Sequence, residues 1–417
     1  MSHHFRGLCF AGREHHVKKL KSMIQYLEQR DFEVTYITGN NVLNQDNYES
    51  PLLREESRYV HLFDFLDPAA VAEINEANDL LQKQLEPGGT EIEGFSEHIP
   101  DFYVRFSIRD LAETQILFRK AIAELKPDVV FILHECNFWT KCLAYCANRA
   151  NIPVVSFQEG QYGPNQAPPE YSIYPLMTEF STVVFLWGPK EFEFLNTSES
   201  AAKKLCVVGA PHLDEYITMP EERKVRTREA LIQKHELGPV SSIVAFAVPH
   251  TMAASGDLLK IINDLIVFFS ARPNLALVLR FHPFEAALAG SLKHLWQHLK
   301  NISCDQDTET PDLITAIDLC LCQRTSFGLE CLALGKPIAE INYNHSAADR
   351  SGYFNQGIAS LIASPADMDS IPRLLEPEAG SETAHKTLQV LQENFFSIDG
   401  KTRERVYRRI LELLPAR

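Results

Sequence analysis

The sequence of 417 residues has no apolar run that approaches the ~18 residues needed to span a membrane. It also begins without the apolar segment of a secretory signal, since residues 1–7 read MSHHFRG. We therefore expect a cytoplasmic protein, and we expect any contact with the inner membrane to be peripheral.

Basic residues are in deficit, because 40 lysines and arginines stand against 55 acidic residues and give a formal net charge of −15. A chain with this excess of negative charge repels a polyanion except at a local basic site. We therefore expect no nucleic-acid partner.

A cysteine framework is also lacking. The nine cysteines have no regular spacing, and several lie in apolar runs, as reduced and buried cysteines do. The pair Cys142 and Cys146 and the pair Cys320 and Cys322 could each be half of a metal site, but neither has a second pair at ligand spacing. We also expect no Asp-x-Asp metal motif at the end of a strand. We expect no bound metal and no cofactor.

What the sequence does contain is a regular alternation of short apolar runs and amphipathic segments. The composition, with 45% hydrophobic and 23% charged residues, is typical of a soluble globular protein, and the length suggests two large domains. Predicted strands include residues 32–39, 128–133, 153–158, 243–248, 275–281 and 319–322, with helices between them. This pattern predicts an α/β fold of two doubly wound, Rossmann-like domains with a cleft between them.

We expect three segments along the chain. Residues 1–210 form an N-terminal Rossmann-like domain, with a polar, helical excursion over 41–106. Residues 211–400 form a C-terminal nucleotide-binding domain. Residues 401–417 form a basic amphipathic helix with Val406, Ile410 and Leu411 on one face. Either the N-terminal domain or a lipid surface could cover that face, and the domain is the favoured partner.

Ligands of open parallel sheets bind beyond the carboxyl ends of the strands, so the residues after each strand are informative. In the second half, Gln323-Arg324-Thr325-Ser326 leaves a strand and enters a helix. Free N–H groups, the positive end of the helix dipole and two hydroxyls would converge there on one anion-sized spot. The alternative is an ordinary N-cap without a ligand. Glu330, about one turn further on, could accept from ribose hydroxyls.

A second strand of this half ends in Arg280-Phe281-His282-Pro283. Pro283 holds His282 in an extended conformation, from which the imidazole could donate to a phosphate or a nucleobase. The alternative is a histidine bonded to a backbone carbonyl. His250, at the end of the first strand of this half, is a weaker candidate for the same ligand.

In the first half, Glu159 and a following glycine form a turn at the end of a strand. A carboxylate on such a turn could be the general base for an acceptor hydroxyl, and a purely structural turn is the alternative. His134 and Glu135 follow the neighbouring strand and should lie beside Glu159, so either could be the base or its partner. Gly12 and Arg13, after the first strand, are weaker candidates for contact with acceptor or phosphate.

The run from Asp318 to Pro337 resembles the nucleotide-binding signature of GT-B-fold enzymes. It is similar in layout to the non-hydrolysing UDP-GlcNAc 2-epimerases and to capsule-polymer transferases that use CMP- or CDP-linked donors. In those transferases a His-Pro pair and a Ser/Thr-Ser pair hold the donor phosphate, and His282-Pro283 and Thr325-Ser326 match both in order. The resemblance covers about half of the chain, at the level of motifs.

The resemblance implies a metal-independent glycosyltransferase with residues 1–210 on the acceptor side. Its substrates would be a nucleotide sugar, with a CMP- or CDP-linked donor favoured, and a surface polysaccharide or glycolipid acceptor. A UDP-sugar 2-epimerase is the first alternative, although Phe327-Gly328 stands where the epimerases have two glycines and Gln161 follows the glutamate turn in place of their arginine. A relative that only binds a nucleotide or phosphosugar is the second, because fold does not fix function.

Overall fold

The computed structural model describes residues 4–12, 14–39, 58–84, 101–135, 137–160, 178–249, 257–282, 285–323, 325–345, 352–376 and 382–415. Arg13, His250, Pro283 and Arg324 lie outside these ranges. Across the described residues, every helix is too short or too polar to cross a membrane.

The first half of the chain forms a sheet of seven parallel strands in the order β3-β2-β1-β4-β5-β6-β7. Its strands are β1 (Phe5–Phe10), β2 (Phe32–Thr38), β3 (Tyr59–His61), β4 (Val129–Ile132), β5 (Val154–Phe157), β6 (Val183–Leu186) and β7 (Leu205–Val207). The second half forms six parallel strands in the order β10-β9-β8-β11-β12-β13. These are β8 (Ser242–Val248), β9 (Leu275–Phe281), β10 (Ile302–Cys304), β11 (Leu319–Cys322), β12 (Ile338–Ile341) and β13 (Ser360–Ile362).

Helices connect the parallel strands. In chain order they are α1 (Glu14–Glu28), α2 (Pro68–Gln84), α3 (Asp101–Leu125), α4 (Phe138–Arg149), α5 (Pro189–Leu195), α6 (Glu199–Ala202), α7 (Asp214–Ile217), α8 (Glu221–Lys234), α9 (Leu258–Ser270), α10 (Ala286–Leu292), α11 (Thr310–Ala316), α12 (Ser326–Ala333), α13 (Ile371–Leu374), α14 (Glu382–Asn394) and α15 (Thr402–Leu411). Short 3-10 helices lie at Leu62–Phe65, Pro211–Leu213, Lys293–Leu295 and Pro365–Ser370.

Both sheets are covered on both faces, which is why their strands are almost wholly apolar. All four residues of β4, Val-Val-Phe-Ile, are buried. In β11 the alternation of side chains sends Cys320 and Cys322 to one core and Leu319 and Leu321 to the other. The expected α/β fold of two doubly wound domains is confirmed, and each sheet has a Rossmann-type strand order.

The strand order reverses between β1 and β4 in the first sheet and between β8 and β11 in the second. The connections leave such a reversal point in opposite directions, so a crevice opens there at the carboxyl ends of the strands. The residues singled out above as ligand contacts lie at the ends of β4 and β11 and of the nearby strands β5 and β9. The topology therefore places most of the predicted site residues along two sheet edges.

Three strands were not predicted. β3 lies inside the segment expected to be a helical excursion and pairs with β2, while β10 and β13 extend the second sheet at its two edges. Each has three residues, which is too short for an alternation of apolar and polar positions to be recognised. The excursion over 41–106 is thus partly a sheet edge.

The chain returns to the first sheet at its end. Val406, Ile410 and Leu414 join a core that contains Phe5 of β1 and Phe32 of β2. Polar contacts support this packing, because Arg405 donates to the carbonyl of Val208 (2.8 Å) and Tyr407 donates to Asp31 (2.8 Å). The apolar face of α15 is consequently buried in protein.

We expect the substitution Ile410→Ala to destabilise the protein, because Ile410 is fully buried between α15 and the first sheet. Removing three carbons from such a site costs about 2–5 kcal/mol. Thermal unfolding should show a fall of several degrees in the midpoint. Leu388→Ala is the matched control, since Leu388 lies on α14 with 55% of its surface exposed and should change the midpoint little. Equal midpoints for both variants would contradict the packing of α15.

Candidate functional site

His134 and Glu159 form a pair at the carboxyl edge of the first sheet. His134 follows β4 and Glu159 follows the adjacent strand β5, and Nε2 of His134 lies 2.7 Å from Oε2 of Glu159. Both side chains keep some exposure, 13% for His134 and 30% for Glu159. The carboxylate and the imidazole are thus at hydrogen-bond distance and within reach of solvent.

Gln158 holds the turn that carries Glu159. Its amide nitrogen donates to the carbonyl of Gly160 (2.8 Å), and its amide oxygen accepts from the backbone N–H of Trp187 (2.7 Å). Gln158 is 3% exposed, so these bonds are made out of water. These bonds tie the turn at the end of β5 to the end of β6, and they fix the backbone that carries Glu159.

Glu135 does not join the pair, and the expectation that it acts beside Glu159 is wrong. Its carboxylate is buried and accepts from the backbone N–H groups of Phe180 and Ser181 (both 2.8 Å) and from the hydroxyl of Ser181 (2.5 Å). Successive residues at a strand end point to opposite sides. Glu135 therefore fixes the loop before β6 while His134 faces the opposite way.

At the edge of the second sheet, Thr325 is the N-cap of α12. Its backbone is extended (φ −143°, ψ 151°), and its hydroxyl accepts from the N–H of Gly328 (3.4 Å). The buried Tyr353 donates from its hydroxyl to the carbonyl of Thr325. A Cβ at Gly328 would lie 2.7 Å from the Tyr353 ring and 2.9 Å from Sγ of Cys322, so only glycine allows this close packing.

The two edges face each other. A Cβ built at Gly160, next to Glu159, would lie 3.9 Å from Oγ of Ser326, the first residue of α12. The pair of His134 and Glu159 and the positive end of a helix thus line the two sides of one cleft.

Glu330 has a different place from the one expected. It was predicted to meet a ribose, but its carboxylate is 2% exposed and lies between the two halves of the chain. Oε1 is 3.9 Å from Nζ of Lys19 on α1, and Oε2 is 3.5 Å from Nε2 of His212 in the segment that joins the sheets. Burial alone would raise the pKa of Glu330, but the charges of His212 and Lys19 outweigh it and hold the pKa below its usual value of 4.5.

Arg280 is engaged by Asp305, which directly follows β10. Nη1 of Arg280 donates to the carbonyl and to Oδ1 of Asp305 (both 3.2 Å). His235 (2.6 Å) and Lys234 (3.2 Å) contact Oδ2 of the same buried carboxylate. Burial would raise the pKa of Asp305, but the hydrogen bond of His235 and those of Thr308 hold it far below its usual range. Arg280 therefore shapes this edge and is bound to Asp305.

The expectation that no strand ends in Asp-x-Asp is also wrong. Asp305-Gln306-Asp307 follows β10, a strand that was not predicted. Asp305 is surrounded by cationic side chains, and the carboxylate of Asp307 is 89% exposed and 4.0 Å from Nζ of Lys234. Among the described residues, no three His, Cys, Asp or Glu side chains are grouped as metal ligands. The pair Cys142 and Cys146 lies in an apolar core, where burial raises the pKa of Cys142 to about 12.

Three further predicted residues lie near the cleft edges. Gln323 ends the turn after β11 and is buried. His282 follows β9, and its backbone N–H donates to the carbonyl of Val248 (3.2 Å) at the end of β8. Gly12 follows β1, beside the ring of Phe10.

The sequence did not mark Lys19, His212 or Tyr353 as site residues. Lys19 is one of several charged residues on an amphipathic helix, and no local pattern separates it from its neighbours. His212 lies just after residue 210, the expected boundary between the two domains, and no motif there marks it. Tyr353 comes from a distant segment. Their contacts depend on which elements the fold brings together.

We expect Glu330→Gln to reduce stability at neutral pH, by roughly 2 kcal/mol, because the variant removes a charged partner from Lys19 and His212. The folded-state pKa of Glu330 is lowered, so its stabilisation is complete above pH 4.5 and is lost as the pH falls below that value. Urea unfolding at pH 7 and at pH 4 should show a smaller difference between wild type and variant at pH 4. A difference that does not change with pH would contradict the charged state of Glu330.

The sequence matches no protein-family description and no curated protein sequence. The fold, however, is similar to solved structures over nearly the whole chain. A UDP-GlcNAc 2-epimerase from Neisseria meningitidis, bound to UDP-GlcNAc, has a TM-score of 0.61 at 15% identity and covers 98% of this chain and 100% of its own. The UDP-GlcNAc 2-epimerase from Methanocaldococcus jannaschii has a TM-score of 0.60 at 15% identity, with the same coverage. The wall teichoic acid polymerase TagF, soaked with CDPG, has a TM-score of 0.57 at 12% identity, covering 97% of this chain and 88% of its own. This chain has the GT-B-like architecture that these structures share.

Proposed function

We propose that the protein is a metal-independent glycosyltransferase that takes a sugar from a nucleotide-linked donor. The donor phosphate binds at the start of α12, and the acceptor is a carbohydrate or glycolipid hydroxyl that approaches Glu159. The observation that carries the proposal is the short distance across the cleft between the Glu159 turn and Ser326. A general base and an anion site on opposite walls are what transfer between a phosphate and a hydroxyl requires.

Glu159 accepts the proton of the acceptor hydroxyl, and His134 at 2.7 Å stabilises the carboxylate and can share that proton. The acceptor oxygen then forms a bond to the anomeric carbon, while the bond from that carbon to the donor phosphate breaks. The free N–H groups and the dipole of α12 stabilise the charge that develops on the departing phosphate. The reaction is balanced by the proton on Glu159, which leaves to solvent.

The choice of nucleotide rests on the sequence motifs. His282-Pro283 and Thr325-Ser326 resemble the pairs that hold CMP- or CDP-linked donors, and this favours a cytidine nucleotide. The polymerase TagF, whose structure was determined with CDPG, shares the fold, but so do the UDP-GlcNAc 2-epimerases, so the fold does not choose between cytidine and uridine nucleotides.

A UDP-sugar 2-epimerase is the second candidate, favoured by the fold similarity to two UDP-GlcNAc 2-epimerases. Conversion of UDP-GlcNAc to UDP-ManNAc by the purified protein, without any acceptor, would establish this candidate in place of the first.

We expect Glu159→Gln to lower turnover at least about 100-fold, because general-base catalysis contributes 10²–10⁴ in rate. Affinity for the donor nucleotide should stay within about twofold of wild type, since Glu159 lies on the opposite wall. Turnover is measured as nucleotide release from UDP-, CMP- and CDP-linked sugars, and nucleotide affinity is measured by calorimetry. Glu199→Gln is the control, because Glu199 is an exposed glutamate on α6. Undiminished turnover in Glu159→Gln would remove the base from the mechanism.

We expect Ser326→Asp to weaken nucleotide binding without lowering the stability of the fold. A carboxylate at the first position of a helix is stabilising by about 0.3–1 kcal/mol, whereas it repels a phosphate at the same place. The melting temperature should be equal to or above that of wild type, and the affinity for UDP and CMP should fall about tenfold or more. Ser326→Asn, which has the same shape without the charge, serves as the control. If the Asp and Asn variants bind nucleotide equally well, the phosphate does not bind at α12.

A further inference from the structure

The ammonium group of Lys19 contacts both walls of the cleft. Lys19 lies on α1, immediately after the first strand, and Nζ donates to the backbone carbonyl of Glu159. The same atom is 3.9 Å from Oε1 of Glu330 on α12 and 5.2 Å from the centre of the Trp187 ring. One cation thus joins the turn of the proposed base to the helix of the proposed phosphate site.

Glu330 lies one helical turn after Ser326, and side chains of a helix lean toward its N-terminus. Its buried carboxylate is therefore within about one helical pitch, ~5.4 Å, of the start of α12. A negative charge at this depth opposes the binding of an anion unless cations neutralise it. The nearest basic side chains are Lys19, on α1, and His212, in the segment that joins the two sheets.

Rigid aromatic packing holds these partners in place. The ring of His212 lies 5.2 Å from that of Trp187, which stacks at 5.8 Å on Phe395. A small cavity on the α1 side of the Glu159 turn is lined by Lys19, Gln158, Trp187 and His212. Trp187 and Phe395 belong to the core that also contains Leu329 of α12. His212 is therefore held from the side of the second sheet, and Lys19 is the partner of Glu330 that comes from the first half.

We propose that Lys19 is a positioning residue that makes anion binding at α12 depend on contact between the two halves. This inference rests on the proposed function. When the halves meet, Lys19 neutralises Glu330 and at the same time fixes the Glu159 turn. When they separate, Glu330 loses the charge of Lys19 and the helix start binds a phosphate less well. By reciprocity, a bound nucleotide favours contact between the halves to the same extent.

The test is a double-mutant cycle on nucleotide affinity, measured by calorimetry with UDP and with CMP. Lys19→Met keeps the length of the side chain and removes its charge, and it should weaken nucleotide binding about tenfold, within the range of measured couplings. Lys19→Met combined with Glu330→Gln should bind within about twofold of Glu330→Gln alone, because the charge that needs neutralising is gone. Lys19→Arg should retain most of the wild-type affinity.

Lys21→Met is the matched control, since Lys21 lies on another face of α1, and it should bind nucleotide as wild type does. If Lys19→Met weakens binding equally with and without Glu330, or does not weaken it at all, the proposal is overturned.

A second readout separates this inference from the proposed function. Small-angle X-ray scattering without nucleotide should give a larger radius of gyration for Lys19→Met than for wild type and Lys21→Met. An unchanged radius refutes the positioning role. If wild type binds none of UDP, CMP and CDP, the proposed function fails, and the scattering result decides on its own whether Lys19 holds the halves together.

Discussion

The arrangement of this protein depends on one buried carboxylate, that of Glu330. A carboxylate that is removed from water must be paired, because the cost of leaving it alone is several kcal/mol. Its partners, Lys19 and His212, belong to the first helix and to the passage between the sheets. The pairing therefore selects one relative placement of the two halves. In that placement Gly160 faces Ser326, and the cleft acquires its two chemically different walls.

The same principle shapes the edges of both sheets. Glu135 collects two backbone N–H groups and a hydroxyl and fixes the loop before β6. Asp305 collects Arg280, His235 and Lys234 beside the end of β9. Loops at the ends of parallel strands have backbone groups that neither helix nor sheet satisfies. Buried carboxylates satisfy them here, and the neighbouring His134, which is 13% exposed, faces the cleft.

Much of the fold could be predicted, because the local pattern of apolar and polar residues indicates its strands and helices. Continuous apolar runs such as Val129–Ile132 indicate buried parallel strands, and the turn at Thr325 has the residue types of a helix start. The edge strand Tyr59–His61 could not be predicted, since three residues show no period. The site divides in the same way. Glu159 and His134 follow strands, so the sequence pointed to them, whereas Lys19 becomes part of the site only through contacts across the cleft.

Glu135 and Glu330 show the limit of residue type as a guide. Both are carboxylates near predicted strand ends or helix starts, and both were expected to meet substrate. Whether such a group acts on a ligand or bonds to the protein depends on the direction of its side chain. In extended backbone that direction reverses from one residue to the next. For this reason His134 contacts Glu159 at the cleft, whereas the adjacent Glu135 bonds to the loop before β6.

The return of the last helix to the first sheet affects how the chain is made. Val406, Ile410 and Leu414 share a core with Phe5 and Phe32, so residues from the two ends of the sequence must pack together. Contacts between such distant residues form late, because the entropy of closing a long loop opposes them. During synthesis the first sheet would leave the ribosome with part of its apolar face uncovered until α15 has also been made. The core of the N-terminal half is complete only when this helix can fold back onto the sheet.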